Sequence, residues 1–236
     1  TLASWIRFSS PYRKESLDQG WPAVACGQYN AETMRSELFG YKKGSHSRAT
    51  SDHLGLLHLA HQDTLFLDEV GDVSRELQRL LIKAIEEGRY QPLGATKFEQ
   101  SDFRLVTATN MPLHTLVERL DPDFFDRISV FQLRVPALRE IPGDIAWLWD
   151  HVFGQAARRT GVDLSAVLLD EASRDDLVTV LRQHPLPGNI RDLFRVAYRL
   201  LAVRTDELEP VPISEAVGYA LAALDGVEGS AESPSH

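Results

Sequence analysis

The chain has 236 residues, 43% of them hydrophobic and 25% charged, with a formal net charge of -9. Such a length buries one large domain, or one domain and a smaller companion. The acidic balance lacks the basic footprint that neutralises phosphates, so direct DNA binding by this stretch is not expected. A single cysteine, Cys26, excludes an internal disulfide and fits a reducing compartment. No apolar run approaches the length of a membrane span and no signal-peptide pattern opens the chain, so the expected location is the cytoplasm, away from membranes.

The chain opens in TLASWIRFSSP, where Leu2, Trp5 and Ile6 fall at helical spacing as though a helix were already under way, which points to a start inside a larger protein. From Trp21 to Arg139, short apolar runs alternate with helical stretches, and that alternation predicts an α/β domain with a largely parallel sheet. The runs are PAVAC, TLFLD, FRLVTAT and VFQLRV, each continuous and bounded by polar or turn residues, as strands covered on both faces are. Between the second and third, residues 74–87 predict a helix with Leu77, Leu80, Leu81, Ala84 and Ile85 on one face and Gly88 as its stop.

After PALREIPGD the strand signals vanish. Amphipathic helices are expected over residues 144–160, 171–183 and 189–203, with a weaker one over 214–224. Ile145, Trp149 and Val152 share a helical face and predict core. The expected division is an α/β core over 1–141, a helical unit over 142–224 with the boundary near Pro142, and a flexible tail over 225–236, which ends in the Gly/Ser-rich GVEGSAESPSH.

Chemistry concentrates in TLFLDEVGD. An apolar strand that ends in adjacent carboxylates places Asp68 where a phosphate-bound magnesium ion can be held and Glu69 where a water can be polarised. The plainer reading is a buried strand with a solvated acidic end. LVTATN ends in Asn110, suited to orienting a water, though an Asn there is also an ordinary turn residue. In DFFDRISVF, Arg127 sits where it could reach a neighbouring subunit's phosphate or simply form a surface ion pair. PLPGNIRDL punctuates a helix start, with Asn189 as the cap and Arg191 in the first turn, placed for a nucleotide or for solvent. His46, His53, His58 and His61 crowd one region without zinc-ligand spacing.

In sequence, SELFGYKKG, GLLHLAHQDTLFLDEVGDVSRELQRLLIKAIEEGRYQPLG, SDFRLVTATN, RISVFQLRVPALRE and PLPGNIRDL resemble the successive motifs of the AAA+ domain of bacterial enhancer-binding proteins, the ATPases that activate sigma-54 RNA polymerase. The resemblance runs from about Thr1 to Tyr198. It implies an AAA+ P-loop-type α/β core, a C-terminal all-α lid, ATP and Mg2+ as ligands, and a ring homo-oligomer, usually a hexamer, with nucleotide sites between subunits. By position it implies that Asp68 and Glu69 are the Walker B carboxylates, with Asp68 on the ATP-bound Mg2+. Asn110 matches sensor I, Arg127 the second trans-acting arginine, and Arg191 the sensor II arginine on the nucleotide.

Against the family's pattern, the 236 residues hold no GxxxxGK[ST] phosphate loop: either it lies upstream of Thr1 or this chain binds ATP poorly, and the ATPase expectation holds on the first alternative. The loop that grips the sigma factor, GAFTGA in the family, reads GSHSRA: Gly44, Ser45, His46, Ser47, Arg48 and Ala49. Ala25 precedes Cys26 where the family usually has Asn, and Asp121 stands where it has its first trans-acting arginine. The main expectation is an ATPase that couples intersubunit hydrolysis to remodelling a partner, the sigma-54 RNA polymerase holoenzyme by resemblance. Two others are a degenerate AAA+ oligomerisation module and an AAA+ motor on a different partner.

Overall fold

A computed structural model describes residues 2–11, 13–14, 20–47, 49–167, 169–204 and 212–225. The chain divides into two compact units, Thr1–Leu133 and Arg134–His236.

In chain order the first unit comprises α1 (Leu2–Phe8), β1 (Ala23–Ala25), α2 (Ala31–Phe39), α3 (Leu56–Leu59), β2 (Thr64–Asp68), α4 (Arg75–Glu87), β3 (Arg89–Tyr90), β4 (Glu99–Gln100), β5 (Arg104–Thr107), α5 (Leu113–Arg119) and α6 (Pro122–Ile128). β1, β2 and β5 form a parallel sheet in the order β1-β2-β5, and β3 pairs antiparallel with β4. β2 is central because Leu65 and Leu67 are fully buried and the strand has neighbours on both edges, Ala25 opposite Asp68 and Leu67 opposite Thr107. α4 begins at Ser74, whose side chain accepts from Leu77 N, and ends at Gly88 in the left-handed region. Its Leu77, Leu81 and Ala84 join Met34, Leu38, Leu57 and Phe124 in the core of this unit.

α1 is tied to the sheet by a buried ion pair. Arg7 donates from Nε to Asp63 Oδ1 at 2.7 Å and from a terminal nitrogen to Oδ2 at 2.6 Å, and Thr64 N and Lys14 N also donate to that carboxylate.

α7 (Ile145–Thr160), α8 (Leu164–Val167), α9 (Glu171–Gln183), α10 (Ile190–Arg204) and α11 (Ile213–Asp225) make up the second unit. Ile145, Trp149 and Val152 are buried with Leu177, Leu181, Leu193, Val196 and Leu200, and the predicted helical faces supply this core.

Some expectations need correction. VFQLRV forms no strand: Val130 is 68% and Phe131 91% exposed, and no described strand offers the segment a hydrogen-bonding edge, without which an extended run has nothing to pair with. The compact units part at Leu133/Arg134, ahead of Pro142, and Leu138 already belongs to the second core. Asn189 does not cap α10 with its side chain. It sits in the left-handed region at φ 54° and accepts from Leu138 N at 2.8 Å, while the buried Asp192 carboxylate takes Gly188 N at 2.6 Å. Asp225, assigned to the tail, ends α11, and residues 226–236 lie outside the described residues.

Candidate functional site

The carboxylate pair stands at the C-terminal end of the central strand. Asp68 is exposed, its Oδ1 accepts from Glu69 N at 3.0 Å, and no cation pairs with it among the described residues. Glu69 leaves the strand in the left-handed conformation, φ 54° and ψ 47°, a strained state for a residue with a side chain, and strain of this kind gathers at working sites. The turn re-aims the chain. It places the Glu69 carboxylate against the turn after β1: a Cβ at Gly27 would lie 2.7 Å from Glu69 Oε2 and 2.9 Å from Asp72 Oδ2. Only a glycine leaves that notch open.

Cys26, beside Gly27, is buried, and its thiol is pushed up to about 12 by that burial and then by Asp68, Asp72 and Glu69. The site therefore carries concentrated negative charge, offset in part by Arg119, which pairs with Asp72 at 3.0 Å.

β5 delivers Asn110 to the same end of the sheet. Ala108 N donates to Leu67 O and Val70 N to Ala108 O, both at 2.9 Å, so the chain leaving β5 runs beside the chain leaving β2. Asn110 itself is exposed. A side chain at Gly71 would collide with Met111, which keeps these two exits in contact.

Arg127, in the last turn of α6, donates to Glu86 and, through its other terminal nitrogen, to Asp123 O at 2.7 Å; the Glu86 pair raises its pKa above the usual guanidinium value. Arg191 lies in the second unit, exposed in the first turn of α10. The first unit thus brings Asp68, Glu69 and the exit to Asn110 together at the C-terminal end of the parallel sheet, with Arg127 on α6.

Gly44 to Ser47 and Ala49 belong to a folded loop. Gly44 N donates to Ala49 O at 2.8 Å, Ala49 N to His46 O at 3.0 Å and Lys43 N to Asp52 at 2.8 Å. His46 meets the Tyr41 ring edge-on at 4.9 Å, and His53 stacks on Tyr41 at 5.0 Å. Ser45 packs on Gly94 of the β3–β4 connection, and Lys42 N donates to Leu93 O at 2.9 Å, so the loop and that connection share a base. Ser47 belongs to the described loop, whereas Arg48 lies outside the described residues. The other two histidines are engaged apart from the loop tip, His58 3.5 Å from Glu99 and His61 accepting from Asp102 N.

Two residues that hold the site have weak sequence signals. Gln78, on the apolar face of α4 one position after Leu77, is buried and donates to Val73 O while accepting from Asp121 N at 2.6 Å, which ties the segment after the carboxylates to the start of α6. A glutamine inside a leucine stripe was the available clue. Asp121 caps α6 by accepting from Asp123 N, a role its place before Pro122 permits.

The family described as the sigma-54 interaction domain matches residues 4–134. The regulatory protein LuxO of Vibrio cholerae is 34% identical over 178 residues, 75% of this chain and 32% of that protein. The Nif-specific regulatory protein of Azospirillum brasilense is 37% identical over 172 residues, 72% of this chain and 26% of that protein. The chain therefore spans about a third or less of these curated relatives. Among solved structures, NtrX from Brucella abortus in complex with ADP aligns with a TM-score of 0.70 and 27% identity over 92% of this chain and 46% of that one. A RuvB mutant from Thermotoga maritima, at 16% identity and TM-score 0.52, shares the fold.

Proposed function

The chain belongs to the sigma-54 interaction domain family and has the α/β AAA+ fold, and from that membership we propose that it is the ATPase module of a cytoplasmic transcriptional regulator. It works as a ring homo-oligomer, a hexamer by family pattern, and couples ATP hydrolysis between subunits to remodelling of sigma-54 RNA polymerase. The observation that carries the reading is the exposed Asp68 beside a left-handed Glu69 at the end of the central parallel strand.

The residues fit the ligand. An exposed carboxylate without a cationic partner suits a hydrated cation, and Asp68 would hold the magnesium that accompanies ATP; that ion supplies charge neutralisation on the phosphates. Glu69 takes a proton from the attacking water, and Asn110 orients that water from the neighbouring exit. Arg191 reads the nucleotide in its own subunit. Arg127 stabilises phosphoryl charge in the next. Residues 44–49 present a polar loop to the polymerase-bound partner.

Magnesium-dependent ATP turnover by the full-length protein tests this. Glu69→Gln removes the base without changing shape and is expected to lower kcat by at least about a hundredfold with ATP binding retained. Absence of turnover by the unaltered protein across a wide concentration range would sink the proposal.

A further inference from the structure

We infer that Glu86 is a positioning residue for Arg127, holding the guanidinium ready for an anion supplied by a neighbouring copy of the chain; the inference rests on the trans-acting reading of Arg127. α6 lies against α4 and is joined to it by polar contacts at both ends. At the N-terminal end the contact is to backbone: Gln78 accepts from Asp121 N at 2.6 Å. Phe124, fully buried, supplies the packing between them. At the C-terminal end the contact is to side chain alone. Arg127 directs Nε, at 2.9 Å, and one terminal nitrogen to the same Glu86 oxygen, and its other terminal nitrogen to Asp123 O.

A guanidinium has five N–H donors. Three are engaged in these bonds, so two remain for an incoming anion, one on each terminal nitrogen. That pair suits a bidentate phosphate contact. Glu86 is exposed and has no other partner among the described residues, so the core does not depend on it, and Gln78 and the buried Phe124 still hold α6 to α4 without it. Its carboxylate fixes a side chain that would otherwise sample many rotamers, and the ordering cost is met before the neighbour arrives. Neither side chain is sealed in the core, with exposures of 29% for Arg127 and 47% for Glu86.

The test uses mixed assemblies of the full-length protein and Mg-ATP turnover. A donor subunit carries Glu69→Gln, dead in its own site but with Arg127 intact. An acceptor subunit carries Arg127→Ala with Glu69 intact. Mixing them is expected to restore turnover that neither shows alone, because one interface in the mixture pairs an intact base with an intact arginine. Failure to restore it would remove the trans-acting reading itself. With restoration in hand, Glu86→Gln placed on the donor is expected to lower kcat about tenfold at unchanged KM for ATP, and the same change on the acceptor, which has no Arg127 to position, to leave the mixture as it was. Equal turnover in the two arms, whether both are lowered or both unaffected, would overturn the role of Glu86.

Discussion

Gly27 illustrates how much a single missing Cβ decides. The Glu69 and Asp72 carboxylates occupy the space where a side chain would begin, within 2.7 and 2.9 Å of it. Gly27→Ala is therefore expected to push Glu69 away from the turn and lower ATP turnover severalfold or more, with little change in the thermal midpoint. Turnover equal to the unaltered protein would show that the notch is irrelevant to catalysis. Cys26 next to it has a thiol pushed up to about 12, burial first and the neighbouring carboxylates second. The nucleophilic thiolate is thus nearly absent at pH 8. Cys26 is expected to resist a thiol reagent in the folded protein and to react at once in denaturant; rapid labelling of the native chain would contradict this. Asp121 stands at the position where the family it resembles has an arginine, and the structure gives it a local task, the cap of α6. Asp121→Ala should cost about 1 kcal/mol of stability in a urea titration.

At the scale of elements, the parallel strands and α4 were legible because their signals are short-range. TLFLD and the Leu77, Leu81, Ala84 stripe declare strand and helix through periodicity, and Ser74 and Gly88 mark the helix ends. What fastens one element to another was not legible. The Arg7–Asp63 pair joins residues 56 positions apart and is buried on both sides. Arg7→Ala strands a carboxylate in the core and is expected to destabilise the protein by about 3–5 kcal/mol. Burial alone would raise the Asp63 pKa, but the bonds from Arg7, Thr64 N and Lys14 N outweigh it and hold the value below the ordinary 3.8. Since the folded value is the lower one, the stabilisation is present above pH about 4 and is lost as pH falls through the folded value. Acid unfolding of the Arg7→Ala protein should show a weaker pH dependence in that window. VFQLRV shows the reverse failure: its composition is that of a strand, yet a strand exists only with a neighbour, and residues 130–135 have none.

For the whole molecule, the two units have separate cores, one built on β2, α4 and Phe124 and the other on α7, α9 and α10. Residues 134–236 produced alone are expected to give a helical circular dichroism spectrum and a cooperative melt, because the buried face of each helix finds its partners within the unit. A non-cooperative melt would mean that this core needs the first unit. Among the described residues no helix is long and apolar enough to cross a membrane.

The sequence by itself determined the three parallel strands, α4 and the helices of the second unit, the carboxylate pair at a strand end and the order of the motifs. These depend on local periodicity, chain chemistry and capping, which act over a few residues. Only the tertiary structure decided that Glu69 rests against Gly27, that Asn189 serves Leu138, and that Glu86 holds Arg127 across 41 positions of chain. A hydrogen-bond partner is chosen by which surfaces packing brings together, and no pattern along the chain encodes that choice until the core has formed.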